Sequence, residues 1–289
     1  MESESCNSCG ICVNVCPNYV FVREDCRPSG KVIAANQGLC CECGHCVLYC
    51  PQNAIRHETI LDEEIALPGN GIINSADVEQ LMMGRRSTRC FKSDAIPKDR
   101  IERLIEIATN AGTASNRQSE YFIVIQDQRL MNELEKTSID ILWNKGLKYA
   151  TDHSIMGRLI AKRYPPELLA NFKLYHDIIV LRKSEKQLEG MVFRKAPCLI
   201  ALCGLKAEYL SAINCALAIR NMELLAAANG LGTCWAGLFM SAARMNWKKV
   251  NALLQIDDSR RILGALMVGY PKYLPGRIVR RKPREVRWL

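Results

Sequence analysis

Eight cysteines fall into two runs of a single pattern. Cys6-x2-Cys9-x2-Cys12-x3-Cys16-Pro17 recurs 34 residues later as Cys40-x2-Cys43-x2-Cys46-x3-Cys50-Pro51. Three thiolates at this spacing can wrap three irons of a cubane, while the fourth, followed by proline, is turned away and completes the other cubane. The runs therefore predict two 4Fe-4S clusters, one on Cys6, Cys9, Cys12 and Cys50, the other on Cys40, Cys43, Cys46 and Cys16. Zinc is the competing metal, but zinc sites usually take four ligands in two pairs and need no second identical run closed by Cys-Pro. Cys26 and Cys41 fall outside the register and read as spare thiols. His45 reads either as a solvated loop histidine or as a hydrogen-bond partner near a cluster. Cubanes move single electrons and make no bonds themselves, so a second centre must receive or supply the charge.

A second set of residues lies downstream. It comprises Arg85-Arg86-Ser87-Thr88-Arg89, Ala114-Ser115-Asn116-Arg117-Gln118, the glycine-rich stretch from Asn229 to Gly237, and Arg280-Arg281-Lys282-Pro283. Taken singly, the first block also reads as a solvated helix end and the second as a polar loop. Neither Gly69-Asn70-Gly71 nor Gly230-Leu231-Gly232 continues into a dinucleotide fingerprint, and no phosphate-binding Walker loop is present. None of the four histidines forms a visible triad, so no side chain is assigned as a catalytic nucleophile or base.

The cysteine runs resemble the bacterial dicluster ferredoxins over residues 6–51, and the four downstream blocks, in order, resemble the FMN-dependent nitroreductase family over roughly residues 75–289. The second resemblance implies an FMN site with a role for each block. Arg85, Arg86, Arg89 and Arg281 would supply guanidinium forks to the flavin phosphate, with Ser87 as a hydroxyl partner. Ser115, Asn116 and Gln118 would serve the ribityl chain and the pyrimidine edge of the ring. A turn through Thr233, Cys234, Trp235, Ala236 and Gly237 would bring backbone N–H groups to the flavin face. Ser119-Glu120 follows the second block where the family commonly has Pro-Trp, so the likeness implies flavin binding rather than a given substrate. Members of the family are homodimers with FMN at the subunit interface, which implies a second copy of this chain as a partner.

These residues need elements to hold them. At 289 residues, 48% of them hydrophobic, the chain is long enough for a sizeable core. Residues 1–57 read as a ferredoxin-like domain too small to be held by a core, residues 58–74 as a linker broken by Pro68-Gly69-Asn70-Gly71, and residues 75–289 as the flavin domain. Apolar periodicity predicts a helix capped by Ser75, another opening on Pro97, strands at Tyr121 to Gln126, Leu199 to Cys203 and Ile262 to Val268, and a long buried helix from Ala207 to Asn229. Residues 127–195 read as mainly helical; an open flavin face lined by the aromatics of residues 140–195 would argue for a small substrate, and a plugged face for a redox sensor. The fold class expected is α+β: a dicluster ferredoxin-like domain fused to a nitroreductase-like domain whose mixed or antiparallel central sheet is flanked by helices.

Charge and cysteine placement narrow the setting. Residues 1–60 hold four basic and six acidic residues, so the net charge of +9 arises downstream, much of it in the terminal arginines that the flavin phosphate would absorb. No aromatic-basic interleaving suggests nucleic acid, and no apolar run nears the roughly 18 residues that span a bilayer. Ten of 15 cysteines crowd into the first 50 residues behind no basic or apolar leader, which predicts a reducing, cytoplasmic setting. The function expected is an iron-sulfur flavoprotein oxidoreductase. It would take electrons from a donor such as ferredoxin or NAD(P)H and reduce a small organic acceptor: a nitroaromatic, a quinone or an activated alkene; the alternatives are an NAD(P)H-fed flavoprotein that reduces a carrier through the clusters, and an electron-transfer or redox-sensing protein that binds no small substrate.

Overall fold

The computed structural model describes all residues except 1–3, 26, 28–29, 61–64, 66–70, 72, 150, 152–153, 155–157, 160–161, 163–164 and 185–187. The spare thiol Cys26 and much of the predicted linker, including Pro68-Gly69-Asn70, lie outside the described residues. The chain divides into two units: Met1–Ile72 with Thr113–Gln118, and Ile73–Gly112 with Ser119–Leu289.

The first unit repeats itself in space as it does in sequence. Helices α1 (Ile11–Val15) and α2 (His45–Leu48) each follow a glycine in the left-handed region, Gly10 at φ 78° and Gly44 at φ 73°. Ser8 and Glu42 form a second left-handed pair at φ 57° and 56°, and Tyr19 and Asn53 a third at 55° and 48°. A 34-residue offset links the members of each pair. Strands β1 (Phe21–Arg23) and β2 (Val32–Ala34) form an antiparallel hairpin. The core of this unit is Val20, Phe21, Val32 and Ile55, packed against Cys12, Cys16, Cys46 and Cys50. So small an apolar cluster buries too little surface to hold a fold by itself, the situation in which a bound metal would contribute folding free energy.

The second unit is built on β3 (Tyr121–Ile125), β4 (Cys198–Leu205), β5 (Gly232–Trp235) and β6 (Arg260–Gly269), in the order β3-β4-β6-β5 with every pair antiparallel. Its helices are α3 (Ser75–Gly84), α4 (Lys98–Thr109), α5 (Gln128–Lys145), α6 (Pro166–Ser184), α7 (Ser211–Ala228), α8 (Gly237–Met245) and α9 (Trp247–Leu253). Alternation along β4 makes two cores. Leu199, Ala201 and Cys203 join the layer of α5 and α8, whereas Cys198, Ile200 and Leu202 join that of α4 and α7. Opposite Leu202 and Cys203 the register of β6 slips by one residue. The side-chain alternation of β6 inverts there, so Ile262 and Ala265 reach the same core.

Several boundaries differ from the sequence expectation for physical reasons. Asn74, not Ser75, caps α3, accepting from Ala76 N–H at 3.0 Å. Pro97 is the N-cap rather than the first turn of α4. The strand predicted from Tyr121 is an edge strand, with Tyr121 and Val124 exposed. Helix α7 buries one stripe, including Cys215, Ile219, Met222 and Ala226, while Ile213 and Leu217 are exposed. Among the described residues no helix is long and apolar enough to cross a membrane.

Three core cysteines behave as small apolar side chains. Burial pushes the thiols of Cys198, Cys203 and Cys215 up to about 12, whereas Cys90 is exposed. In mildly alkaline buffer an alkylating reagent should modify Cys90 in the folded protein and spare those three until denaturant is added. Native-state labelling of Cys215, read by peptide mass spectrometry, would show that this core opens.

Candidate functional site

The thiols of the first unit gather in two separate sets of four. Cys6, Cys9, Cys12 and Cys50 border one cavity, together with Val32 and Ile55. Cys16, Cys40, Cys43 and Cys46 border another, with Val20, Phe21 and Cys41. All eight are free cysteines. Each set thus draws three thiols from one run and one from the other. Backbone N–H groups point at the sulfurs at matching places in the repeat. Ser8 donates to Cys6 Sγ at 3.4 Å and Glu42 to Cys40 Sγ at 3.3 Å; Val20 donates to Cys16 Sγ and Ala54 to Cys50 Sγ, both at 3.3 Å. Such donors suit thiolate better than thiol. Burial pushes the repeat-related thiols Cys12 and Cys46 up, so bound iron would have to supply the opposing charge that keeps them ionised. Among the described residues no three His, Cys, Asp or Glu side chains are placed to hold a single metal ion. The two sets of four thiols, each with backbone N–H groups directed at its sulfurs, fit a polynuclear iron-sulfur group.

Beside the second cavity, His57 sets its Nε2 3.4 Å from Cys40 Sγ. His45, the histidine noticed in the sequence, is exposed and places its Nδ1 3.3 Å from Cys43 O. The signal that points to His57 is the repeat itself, which aligns it with Arg23. Asn116 and its neighbours belong to this unit. The two N–H groups of the Asn116 amide are directed to Cys41 O at 3.2 Å and Glu42 O at 2.9 Å. Ser115, Asn116 and Gln118 all have left-handed backbone, at φ 52°, 52° and 45°. Three such residues within four positions store strain of a kind that concentrates at working sites.

In the second unit the segment after α3 forms one wall of a cleft of about 950 Å³. Arg85, Arg86, Ser87, Arg89 and Thr233 line it, with Gly232 and the chain from Tyr273 to Ile278. Of the other residues expected at a flavin, Cys234, Trp235, Ala236, Gly237 and Arg281 are not part of this lining. The expected glycine-rich turn is strand β5, whose Thr233 O accepts from Thr88 N–H at 2.8 Å. This approach requires Gly232, since a Cβ there would sit 2.8 Å from Thr88 Cβ. Arg85 is half-buried and pairs through Nη1 with Glu223 Oε1 at 3.2 Å. Its Nε is buried without a partner. An orphaned guanidinium donor among further arginines and a hydroxyl fits a phosphate. The aromatics Phe172 and Phe193 are buried in the α5 and α8 core with Trp143 packed on it, and do not border the cleft; Tyr164 lies outside the described residues.

The nitroreductase family model matches residues 82–270. The chain belongs to the nitroreductase family. A 4Fe-4S dicluster domain matches residues 5–55, so this nitroreductase-family chain carries an iron-sulfur domain ahead of its flavin domain and is an FMN-dependent oxidoreductase. It is 26% identical over 205 residues to a Bacillus subtilis FMN reductase (NADPH), covering 71% of this chain and 68% of that protein. Over 95 residues it is 32% identical to NAD(P)H-quinone oxidoreductase subunit I of Gloeobacter violaceus, covering 30% of this chain and 43% of that one. Its fold is similar to that of a nitroreductase with bound FMN from Desulfitobacterium hafniense, with a TM-score of 0.55 and 18% identity over 75% of this chain and 100% of the other.

Proposed function

We propose that this chain passes electrons between two 4Fe-4S clusters and FMN and reduces a small organic acceptor, a nitroaromatic, a quinone or an activated alkene. The observation that carries the reading is the sorting of eight thiols into two crossed sets of four on a chain that also holds an arginine-lined cleft. When bound, the clusters supply single electrons, and the flavin joins one-electron to two-electron chemistry. The protein's own work is binding and electrostatics. Cys6, Cys9, Cys12 and Cys50 hold the first cluster, and Cys16, Cys40, Cys43 and Cys46 the second. Arg85, Arg86, Ser87 and Arg89 hold the phosphate, Arg281 closes on it from the tail, and Thr233 to Gly237 support the ring. A second copy of the chain covers the exposed apolar residues Ile213 and Leu217 of α7, so light scattering should give twice the chain mass. The setting proposed is the reducing cytoplasm, where free thiols persist.

Anaerobically purified protein should hold about eight irons per chain, the content of two cubanes, and release FMN on denaturation. Flavin-free protein with its full iron would overturn the reading. Arg86→Ala should weaken FMN binding by about ten- to a hundredfold, the range for a lost charge-assisted hydrogen bond. Arg281→Ala should act in the same direction, and unchanged affinity would remove it from the phosphate site. The likeness to an NADPH-dependent FMN reductase favours one second reading, in which NAD(P)H reduces the flavin directly and the clusters pass electrons outward. Prompt flavin bleaching on rapid mixing with NADPH, without added ferredoxin, would select it.

A further inference from the structure

We propose that His57 holds the second cluster at a higher reduction potential than the first, by donating its Nε2–H to the ligand sulfur of Cys40. The inference rests on the two-cluster reading above.

The tautomer of His57 is set by its neighbours. Thr59 N–H points at Nδ1 from 3.2 Å, and Thr59 Oγ1 lies 3.1 Å from the same nitrogen. A backbone N–H can only donate, so Nδ1 is an acceptor and the ring proton of the neutral imidazole sits on Nε2. Nε2 is the atom 3.4 Å from Cys40 Sγ. The ring is fixed there by the tight turn in which His57 bridges Ile60.

The repeat shows what is special about this contact. The 34-residue offset that pairs Cys6 with Cys40 pairs Arg23 with His57. Arg23 lies across Gly10 and donates to backbone: Nη1 to Ser8 O at 3.1 Å and Gly30 O at 2.8 Å, Nη2 to Cys9 O at 3.2 Å. An imidazole has too few donors for that task. In the second half the carbonyl equivalent to Ser8 O is Glu42 O, and Asn116 satisfies it from the 113–118 segment. With that carbonyl served, His57 is released to address the sulfur. Cys40 Sγ thus accepts from Glu42 N–H and from His57, whereas among the described residues Cys6 Sγ accepts only from Ser8 N–H.

A donor to a ligand sulfur stabilises negative charge on the cluster, and the reduced state carries one unit more of it. The extra bond therefore strengthens on reduction and raises the potential. Two clusters on runs of the same cysteine spacing become unequal, and one electron delivered to the unit settles on the second.

The test is an anaerobic redox titration of the holoprotein followed by electron paramagnetic resonance, with iron counted in parallel. In the unaltered protein the two clusters should titrate apart by at least tenfold in their reduction equilibria, about 59 mV for one electron. His57→Ala should shift only the higher-potential cluster downward, and His57→Gln, which keeps a donor, should restore most of the gap. Should His57→Ala fail to fold, the unaltered protein and His57→Gln still decide the matter. Coincident potentials in the unaltered protein, or equal potentials in His57→Ala and His57→Gln, would overturn the inference with the two-cluster reading intact. Fewer than two clusters in the unaltered protein would remove that reading and this inference together.

Discussion

Removing the Cys50 thiol should extinguish the same cluster signal as removing the Cys6 thiol, and removing Cys16 the same signal as removing Cys40. Local ligation would instead pair Cys50 with Cys40 and Cys16 with Cys6. The crossed outcome follows from the cavities, each bordered by three thiols of one run and the fourth of the other. Cys16 and Cys50 sit where the chain leaves each run, their sulfurs turned toward the N–H of Val20 and Ala54 and packed against Phe21 and Ile55. In Cys50→Ala, iron should fall from about eight to about four per chain. The loss reaches beyond electron transfer. With a small apolar cluster of Val20, Phe21, Val32 and Ile55, the first unit should be loosened by the loss of one cluster while the other still holds its irons. Limited proteolysis should therefore cut the variant within residues 4–60 while sparing the sheet of the second unit. If Cys50→Ala matched Cys40→Ala in its resonance spectrum, crossed ligation would be wrong and the stapling of the two halves would need another cause.

The parts of this molecule legible in sequence are those where a residue's task is set by local spacing. The cysteine runs, which sort by spacing into two sets around two cavities, and the short apolar run that forms β4 are of this kind. What spacing does not carry is the identity of a partner distant in sequence. Nothing in the spacing of the Asn116 block shows that its amide N–H groups reach carbonyls 74 and 75 residues away. The segment from Thr233 looked like a turn because of its glycines, yet Gly232 serves a close strand contact with Thr88. His57 was legible in principle through the repeat, but only once Arg23 was seen to occupy the equivalent place.

Glu223 is the residue that periodicity concealed most fully, and its replacement should have a large effect on the second unit. It lies on the buried stripe of α7, where the pattern calls for an apolar side chain, with its own side chain 6% exposed. Its two oxygens meet Arg85 Nη1 at 3.2 Å and Arg220 Nη1 at 3.4 Å. Arg220 is partly exposed and can turn to water, but Arg85 is held at 15% exposure with Nε already unpartnered. Glu223→Ala therefore strands a half-buried guanidinium, and chemical denaturation should show a loss of about 3 kcal/mol, the lower end of the range for breaking a buried pair. Removing both partners should cost less than removing the acid alone, because Arg85→Ala in the same chain deletes the orphaned charge. FMN supplies a discriminating arm. If Arg85 borders the phosphate, the stranded guanidinium of Glu223→Ala gains a new counter-charge, and saturating FMN should raise the Tm of the variant more than that of the parent. A loss under about 1 kcal/mol, as for an exposed pair, would mean that Glu223 does not anchor Arg85. A double variant less stable than Glu223→Ala would mean that Arg85 holds the fold by packing rather than by charge.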